Sequence, residues 1–216
     1  MTNKITTIFF DAGGVLLDRP VHKEDSITFL LRSKGYPEDK IETAIAQGKS
    51  YLRINNQWLG TWEEEKNYFQ GYYNAIASCL SEDPNLAKQL FFQTYYINYC
   101  ALFPEVRGVL EALEGKYKLV IISNAYPSME WVFDKLDISK YFHSLIISAL
   151  VNCYKPQPEI YRISLEKADT KPDESIFIDD RKEHCKGAED LGIRSFYLDR
   201  KVNDLKHILL DAGVEI

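Results

Sequence analysis

The chain of 216 residues lacks several features that would point to particular classes of protein. No run approaches the roughly 20 consecutive apolar residues that a membrane-spanning helix requires. Basic residues number 26 against 32 acidic ones and form no block, so a nucleic-acid-binding surface is not expected. The four cysteines lie far apart without CxxC spacing, which favours reduced thiols over a disulfide framework or a zinc site. Since no signal peptide precedes the first predicted strand, we expect a cytoplasmic protein.

What the chain does have is a strand-like segment that ends in a carboxylate. Residues 8–10 are apolar, Asp11 follows them, and Gly13 and Gly14 come shortly after. This order predicts a buried strand that delivers Asp11 to the end of a sheet. The glycines let the backbone turn sharply and approach a ligand closely. Taken alone, the pattern fits an Asp that caps a following helix equally well.

Residues 19–100 are predicted to form a helical region of their own. Apolar residues recur there at helical spacing, and Thr61 is the expected cap of a helix that runs to about Leu80. Another helix is expected to open at Pro84 and to run to about Tyr99. Strand signals are nearly absent, whereas aromatic residues are concentrated in this region. We expect most of these rings to form the core of a helical bundle and a minority to line a substrate pocket.

From Phe103 onward, strand-like and helix-like segments alternate. Strands are predicted at 119–122, 145–147, 176–178 and 195–198, with a helix between each pair. The alternation is typical of an α/β fold with a parallel sheet covered on both faces, in which ligands bind beyond the carboxyl ends of the strands. Polar residues lie at these ends or in a loop on the same edge: Asp11, Ser123, Asn124, Lys155, Asp179 and Asp180.

These residue types together suggest phosphoryl chemistry with a hard metal ion. Clustered carboxylates bind Mg²⁺ through their oxygens. A lysine and a serine can hold the oxygens of a phosphoryl group, and one carboxylate can act as the nucleophile. Each signal is weak by itself, but their common position at one edge of the predicted sheet strengthens the interpretation.

Four motifs, in order, resemble those of the haloacid dehalogenase superfamily of hydrolases, and the resemblance covers nearly the whole chain. The motifs are Phe10-Asp11-Ala12-Gly13-Gly14-Val15, Ser123-Asn124, Lys155-Pro156-Gln157-Pro158, and Asp179-Asp180 followed by Gly187-Ala188 and Leu191-Gly192. The resemblance implies an α/β fold whose Rossmann-like core consists of residues 1–18 and 101–216. It also implies that residues 19–100 form a helical cap domain inserted after the first motif, as in subfamily I.

The resemblance further implies a role for each matching residue. Asp11 would attack phosphorus and form an aspartyl-phosphate, while Ser123 and Lys155 would hold the transferring phosphoryl group. The substrate, a small phosphate ester, would contact Ala12, Gly13, Ser123, Asn124 and Lys155. The cofactor Mg²⁺ would be held by Asp11, the carbonyl of Gly13 and Asp180, with Asp179 beside it. His184 is expected to orient the acidic pair by a hydrogen bond rather than to bind the metal.

One position departs from the family pattern. Phosphatases of this family usually carry a second Asp two residues after the nucleophile, where it protonates the leaving group, and this chain has Gly13 there. General acid–base catalysis typically contributes about 10²–10⁴-fold in rate. Asp18 and His22 are the candidates for a substitute acid. Some family members with Gly at this position resemble sugar-phosphate phosphatases and retain activity.

The favoured interpretation is a Mg²⁺-dependent phosphatase acting on a small phosphorylated metabolite such as a sugar phosphate. A 2-haloacid dehalogenase also lacks the second Asp, and residues 123–127 resemble its second motif, but dehalogenases use no metal for an acidic pair to bind. A weakly active or non-catalytic binding protein of the same fold is the other alternative, and Gly13 motivates it. A phosphonate hydrolase would need a cap lysine that the sequence does not single out.

Overall fold

The computed structural model describes residues 4–18 and 23–216. The chain divides into two compact units, one formed by residues 1–18 with 101–216 and the other by residues 19–100. His22, one of the candidate acids, lies outside the described residues. None of the helices in the described part of the chain is both long and apolar enough to cross a membrane.

The first unit is built around a parallel sheet of five strands. Strand β1 (Thr7–Phe10) is central, and a separate antiparallel pair consists of β2 (Leu17–Asp18) and β3 (Ala101–Leu102). The other strands of the large sheet are β4 (Lys118–Ser123), β5 (Ser144–Ile147), β6 (Ser175–Asp179) and β7 (Arg194–Tyr197), in the spatial order β5-β4-β1-β6-β7. The prediction of a parallel α/β sheet is therefore confirmed. The β2–β3 pair was not predicted, because strands of two residues leave no periodic signal.

The register of the sheet brings three predicted site residues to one edge. Phe10 at the end of β1 lies opposite Ile121 of β4 and Ile178 of β6. Asp11 directly follows Phe10, and Asp179 directly follows Ile178, so the two carboxylates leave neighbouring strands at the same height. Strand β4 continues two residues beyond Ile121 and ends at Ser123. Since β1 is flanked on both sides, Asp11 lies at the middle of the carboxyl edge, where ligand sites of such sheets are found.

Helices cover this sheet as the alternating pattern predicts. They are α5 (Val106–Leu113), α6 (Met129–Lys135), α7 (Ser148–Val151), α8 (Pro158–Ala168), α9 (Lys182–Glu189) and α10 (Leu205–Asp211), numbered in chain order after the four helices described in the second unit. One face of the sheet packs on α8 and α9 through a buried apolar cluster that includes Phe9, Phe177 and Tyr161. Burial of this cluster stabilises the core by about 25 cal/mol for each Å² of apolar surface removed from water.

The second unit is a bundle of helices with an aromatic core. Its helices are α1 (Lys23–Ser33), α2 (Glu38–Ile54), α3 (Trp62–Ala77) and α4 (Asn85–Thr94). Thr61 caps α3 as predicted, and it does so in a reciprocal capping box with Glu64. The predicted extension of α4 to Tyr99 is wrong, because Tyr95 adopts an extended conformation and only a short 3₁₀ turn at Tyr96–Asn98 follows.

The aromatic residues of this unit are mostly core residues, as expected. Six rings are buried in one cluster: Tyr68, Phe69, Tyr72, Tyr73, Phe91 and Tyr95. Four pairs of these rings meet edge to face, and Phe91 and Tyr95 stack. Phe29, Trp58 and Phe92 are exceptions, with exposed fractions of 76%, 45% and 62%.

Candidate active site

The turn after Asp11 depends on Gly14. This residue has a φ of +77°, a conformation that L side chains rarely adopt. A Cβ added to it would lie 2.2 Å from Oδ2 of Asp180, so a side chain would displace that carboxylate. The close approach of Gly14 to Asp180 therefore links the loops that follow β1 and β6.

The same turn presents free backbone groups next to Asp11. The carbonyl of Ala12 accepts hydrogen bonds from Leu16 N (2.9 Å) and Leu17 N (2.8 Å). Further along the turn, the carbonyls of Gly14 and Val15 both accept hydrogen bonds from the side chain of Arg200. Among the described residues, no hydrogen bond involves the Gly13 carbonyl or the amides of Ala12 and Gly13. One carbonyl and two successive amides are thus available to a ligand.

Lys155 joins the carboxylates that follow β1 and end β6. Its Nζ donates hydrogen bonds to Asp11 Oδ1 and to Asp179 Oδ2, both at 2.7 Å. The Lys155 side chain is fully buried, and its ammonium also lies 5.3 Å from the centre of the Phe177 ring. A buried cation requires paired counter-charges, which the two carboxylates provide.

Asp179 is the most fully engaged of the acidic residues. Its Oδ1 accepts from the backbone N–H of Arg181 at 2.8 Å, and His184 Nδ1 lies 3.1 Å from both of its oxygens. Because an ionised carboxylate only accepts, His184 donates from Nδ1. Although burial alone would raise the pKa of Asp179, the hydrogen bond from His184 and the charge of Lys155 hold this pKa below its usual range.

The backbone of Lys155 is held by the side chain of Asn124. Asn124 Oδ1 accepts from Lys155 N at 2.8 Å, and Asn124 Nδ2 donates to Lys155 O at 2.9 Å. The neighbouring Ala125 is held in the same way, since Ser148 Oγ accepts from Ala125 N at 3.1 Å and lies 3.2 Å from Ala125 O. The loop after β4 is thereby tied to the Lys155 loop on one side and to α7 on the other.

Residues 156–158 complete the support of Lys155. Gln157 Oε1 accepts from Tyr154 N at 3.1 Å and thus closes the turn that carries the lysine. A Cβ added to Gly187 of α9 would lie 2.9 Å from Pro156 Cβ, so this glycine lets α9 pack directly on the loop. Pro158 then begins α8, where its fixed φ suits the first helical turn.

Three carboxylates form the acidic cluster of the site. Asp11, Asp179 and Asp180 each place a carboxylate oxygen within 4.8 Å of the others. Burial raises the pKa of Asp11 to about 6, although Lys155 acts in the opposite direction. Burial and the charge of Asp179 also raise the pKa of Asp180. If all three are ionised, they carry three negative charges against the single charge of Lys155, which favours the binding of a divalent cation.

A comparison with protein families identifies the chain. The family model of the haloacid dehalogenase-like hydrolases matches residues 5–192, which include every residue of the site described above except Arg200. The chain belongs to this family of hydrolases.

Two curated relatives illustrate its similarity to known members. A phosphorylated carbohydrates phosphatase of Thermotoga maritima is 32% identical over 113 residues, which cover 51% of this chain and 52% of that protein. The chain thus spans about half the length of this relative. A glyceraldehyde 3-phosphate phosphatase of Pyrococcus furiosus is 24% identical over 205 residues, covering 90% of this chain and 80% of that protein.

Solved structures share the fold. A HAD phosphatase from Thermococcus onnurineus superposes with a TM-score of 0.67 at 16% identity, covering 98% of this chain and all of that one. A 2-haloacid dehalogenase from Pseudomonas syringae gives a TM-score of 0.66 at 18% identity, covering 92% and 88% of the two chains. At these identities the likeness shows the Rossmann-like fold of the family and does not distinguish phosphatase from dehalogenase.

The position of the family phosphatases' second Asp, Gly13, has room for a side-chain Cβ. Gly13 is not among the described glycines with a positive φ, and a Cβ added to it meets no described atom within 4 Å. Asp18, a candidate for the missing acid, lies in β2, where it pairs with Ala101 of β3. Of the remaining predicted residues, Ser123 is buried as the last residue of β4.

Sequence reasoning missed Arg200, although a signal for it exists. The residue lies three positions after the end of β7, and therefore near the same carboxyl edge as the predicted site residues. The strand-end rule that selected Asp11 and Asp179 applies equally there. An arginine was not considered because the motifs of the family resemblance end before this strand.

Proposed function

We propose that the chain is a Mg²⁺-dependent phosphatase that hydrolyses a small phosphorylated metabolite through an aspartyl-phosphate on Asp11. The observation that carries the proposal is the buried pairing of Lys155 with Asp11 and Asp179, with Asp180 beside them. A single ammonium leaves this cluster with excess negative charge. A site of this kind is suited to a divalent cation and to the phosphoryl group that the cation and the lysine would hold together.

The donor set fits Mg²⁺, which prefers oxygen ligands. Asp11, Asp180 and the Gly13 carbonyl would hold the ion, because these oxygens are less engaged than those of Asp179, which already accept from three donors. When bound, Mg²⁺ would offset the negative charge of the cluster and polarise the phosphoryl group. Asp179 would act from beside the ion by fixing Lys155.

The residues of the site would perform the reaction in two steps. A carboxylate oxygen of Asp11 attacks phosphorus while the ester P–O bond breaks, and the departing alkoxide takes up a proton from water to become the product alcohol. Water then attacks the phosphorus of the aspartyl-phosphate, so that inorganic phosphate leaves and the carboxylate of Asp11 is regenerated. Lys155, Ser123 and the amides of Ala12 and Gly13 would hold the phosphoryl oxygens in both steps.

The relatives and the division of the chain support a proposed substrate class. Both curated relatives act, by their names, on phosphorylated carbohydrates or on a three-carbon sugar phosphate. We extend this class to the present chain and assign residues 19–100 as the cap domain that selects the substrate, with residues 1–18 and 101–216 as the catalytic core.

A paired assay separates this proposal from its alternatives. The protein is incubated with a panel of sugar, alkyl and aryl phosphates, with Mg²⁺ or with a chelator, and released phosphate is measured. Chloride release from 2-chloropropionate is measured in parallel. We expect phosphate release that requires Mg²⁺. Chloride release without Mg²⁺ would instead indicate a dehalogenase, and Mg²⁺ binding without either product would indicate a non-catalytic binding protein.

A further inference from the structure

Arg200, in the loop after β7, forms hydrogen bonds with the backbone of the turn that follows Asp11. Its guanidinium donates to the carbonyl of Gly14 (Nε, 3.3 Å) and to the carbonyl of Val15. The same group donates to Oε1 of Glu105, and it stacks on the ring of Phe103 at 3.8 Å from the ring centre. The edge of one guanidinium therefore donates to three oxygens of the core unit, while one of its faces lies on the Phe103 ring.

The partners of Arg200 are themselves fixed. Glu105 precedes α5, and its Oε1 also accepts from the backbone N of Leu205 at 3.1 Å, which ties it to the start of α10. Burial alone would raise the pKa of Glu105, but hydrogen bonds from Arg200 and from backbone amides hold this pKa below its usual range. Phe103 N donates to Leu16 O at 3.2 Å, so the ring under the guanidinium is joined to the same turn.

The two carbonyls held by Arg200 directly follow Gly13. Fixing the peptide planes after Gly14 and Val15 restricts how the chain can rotate at Gly13, whose own carbonyl has no partner among the described residues. The Cα of Gly14 also lies against the carboxylate of Asp180, so movement of the turn would change the spacing between Gly13 and Asp180.

We propose that Arg200, anchored by Glu105 and Phe103, is a positioning residue that aims the Gly13 carbonyl at the carboxylate cluster and so sets the affinity of the site for Mg²⁺. The inference rests on the proposed function, since it gives the turn a metal to bind. Arginine suits this role better than lysine, because its planar fork serves two carbonyls and a carboxylate at once, whereas an ammonium is a single point charge.

The test measures Mg²⁺ binding directly by calorimetry, with phosphate release as a second readout. Arg200→Lys keeps the charge but removes the fork, and we expect it to weaken Mg²⁺ binding by about tenfold, as loss of a residue that supports metal ligands typically does. Raising the Mg²⁺ concentration should then restore most of the lost turnover. Because Mg²⁺ binding also stabilises the folded state, the unfolding temperature is measured without Mg²⁺, where a general loss of stability would show as a decrease and the inference predicts a value close to that of the parent.

The matched control is Arg194→Lys. Arg194 begins β7, donates to the Ala212 carbonyl at 2.6 Å and lies over Phe196 at 5.3 Å, so it makes the same kinds of contact without touching the turn. We expect this variant to bind Mg²⁺ within about twofold of the parent, because the ligands that a supporting residue would orient are untouched. Equal affinities in Arg200→Lys and Arg194→Lys would overturn the inference.

Glu105→Gln covers the case in which Arg200→Lys does not fold. It removes the anion that anchors Arg200 while the amide oxygen can still accept from Leu205 N, and we expect Mg²⁺ binding to weaken by about threefold. Parent-like affinity in this variant would contradict the inference. If the parent protein binds no Mg²⁺, the proposed function is contradicted as well. If the parent binds Mg²⁺ and the variants bind it with the same affinity, only the role of Arg200 is contradicted.

Discussion

The side chain of Asn124 forms two hydrogen bonds with the backbone of Lys155, accepting from its N–H and donating to its carbonyl. The sequence suggests Asn124 as a substrate contact, but its side-chain amide is hydrogen-bonded to Lys155, the residue that bridges Asp11 and Asp179. We therefore interpret Asn124 as a residue that positions Lys155.

Asn124→Ala is predicted to lower turnover by misplacing Lys155. The variant loses two hydrogen bonds to the Lys155 backbone, worth about 1 kcal/mol each, and kcat should fall by about 10- to 100-fold because the phosphoryl-binding ammonium shifts. Ser148→Ala, which loosens Ala125 without touching Lys155, serves as the comparison and should reduce kcat much less. Equal losses in kcat would show that Asn124 merely stabilises the loops.

The two acidic residues at the end of β6 are predicted to differ in function. Asp180→Ala should weaken Mg²⁺ binding more than Asp179→Ala, as titration calorimetry can measure. Asp179→Ala should instead lower the free energy of unfolding, by about 3–5 kcal/mol, because it leaves the buried Lys155 with one counter-charge fewer. An equal or larger loss of Mg²⁺ affinity at Asp179 would reverse this assignment.

Gly14→Ala is predicted to lower both the stability and the Mg²⁺ affinity of the protein. Gly13→Ala serves as the control and is predicted to leave the stability unchanged. The positive φ of Gly14 alone costs an alanine about 1–2 kcal/mol, and its Cβ would push against Asp180. Thermal unfolding and Mg²⁺ titration should both show a loss for Gly14→Ala. Gly13→Ala should unfold close to the parent temperature, and a comparable loss there would mean that the space at Gly13 is not open.

Gly13→Asp is predicted to supply the general acid that the chain lacks at this position. Aryl phosphates release an alcohol that needs little protonation, whereas alkyl and sugar phosphates release a poor leaving group. The variant should therefore gain on alkyl phosphates, by up to about 10²-fold, and gain less on aryl phosphates. Neither the backbone at Gly13, which does not have a positive φ, nor the space for a Cβ opposes the substitution.

The parent's own rates decide how this result is interpreted. If Gly13→Asp folds, binds Mg²⁺ and gains nothing while the parent is already fast on an alkyl phosphate, another group supplies the proton. Asp18 and His22 are then the next residues to substitute. If the parent is inactive on every ester and the variant gains activity, the non-catalytic alternative is favoured.

The sequence predicts the sheet and its edge well, because the β-branched apolar runs are long enough to signal buried strands. The strand-end pattern places Lys155 and Asp11 at the same edge of the sheet, but it does not predict their direct contact, since the two residues are 144 positions apart and no local pattern links them. The end of α4 and the pair β2–β3 depend on backbone conformations that hydrophobic spacing does not encode. Arg200 was missed because it lies beyond the last family motif, and its contacts with backbone carbonyls cannot be predicted from its position near the end of a strand.

The central claim is that Asp11 is the nucleophile, and turnover of Asp11→Asn tests it most directly. An amide cannot form the aspartyl-phosphate. Phosphate release in the presence of saturating Mg²⁺ is compared between the parent, Asp11→Asn and Asp190→Asn, a surface control in which only an exposed ion pair with Lys186 is lost. We predict that Asp11→Asn remains folded but releases no phosphate, while Asp190→Asn matches the parent. Substantial phosphate release by a well-folded Asp11→Asn protein would contradict the mechanism.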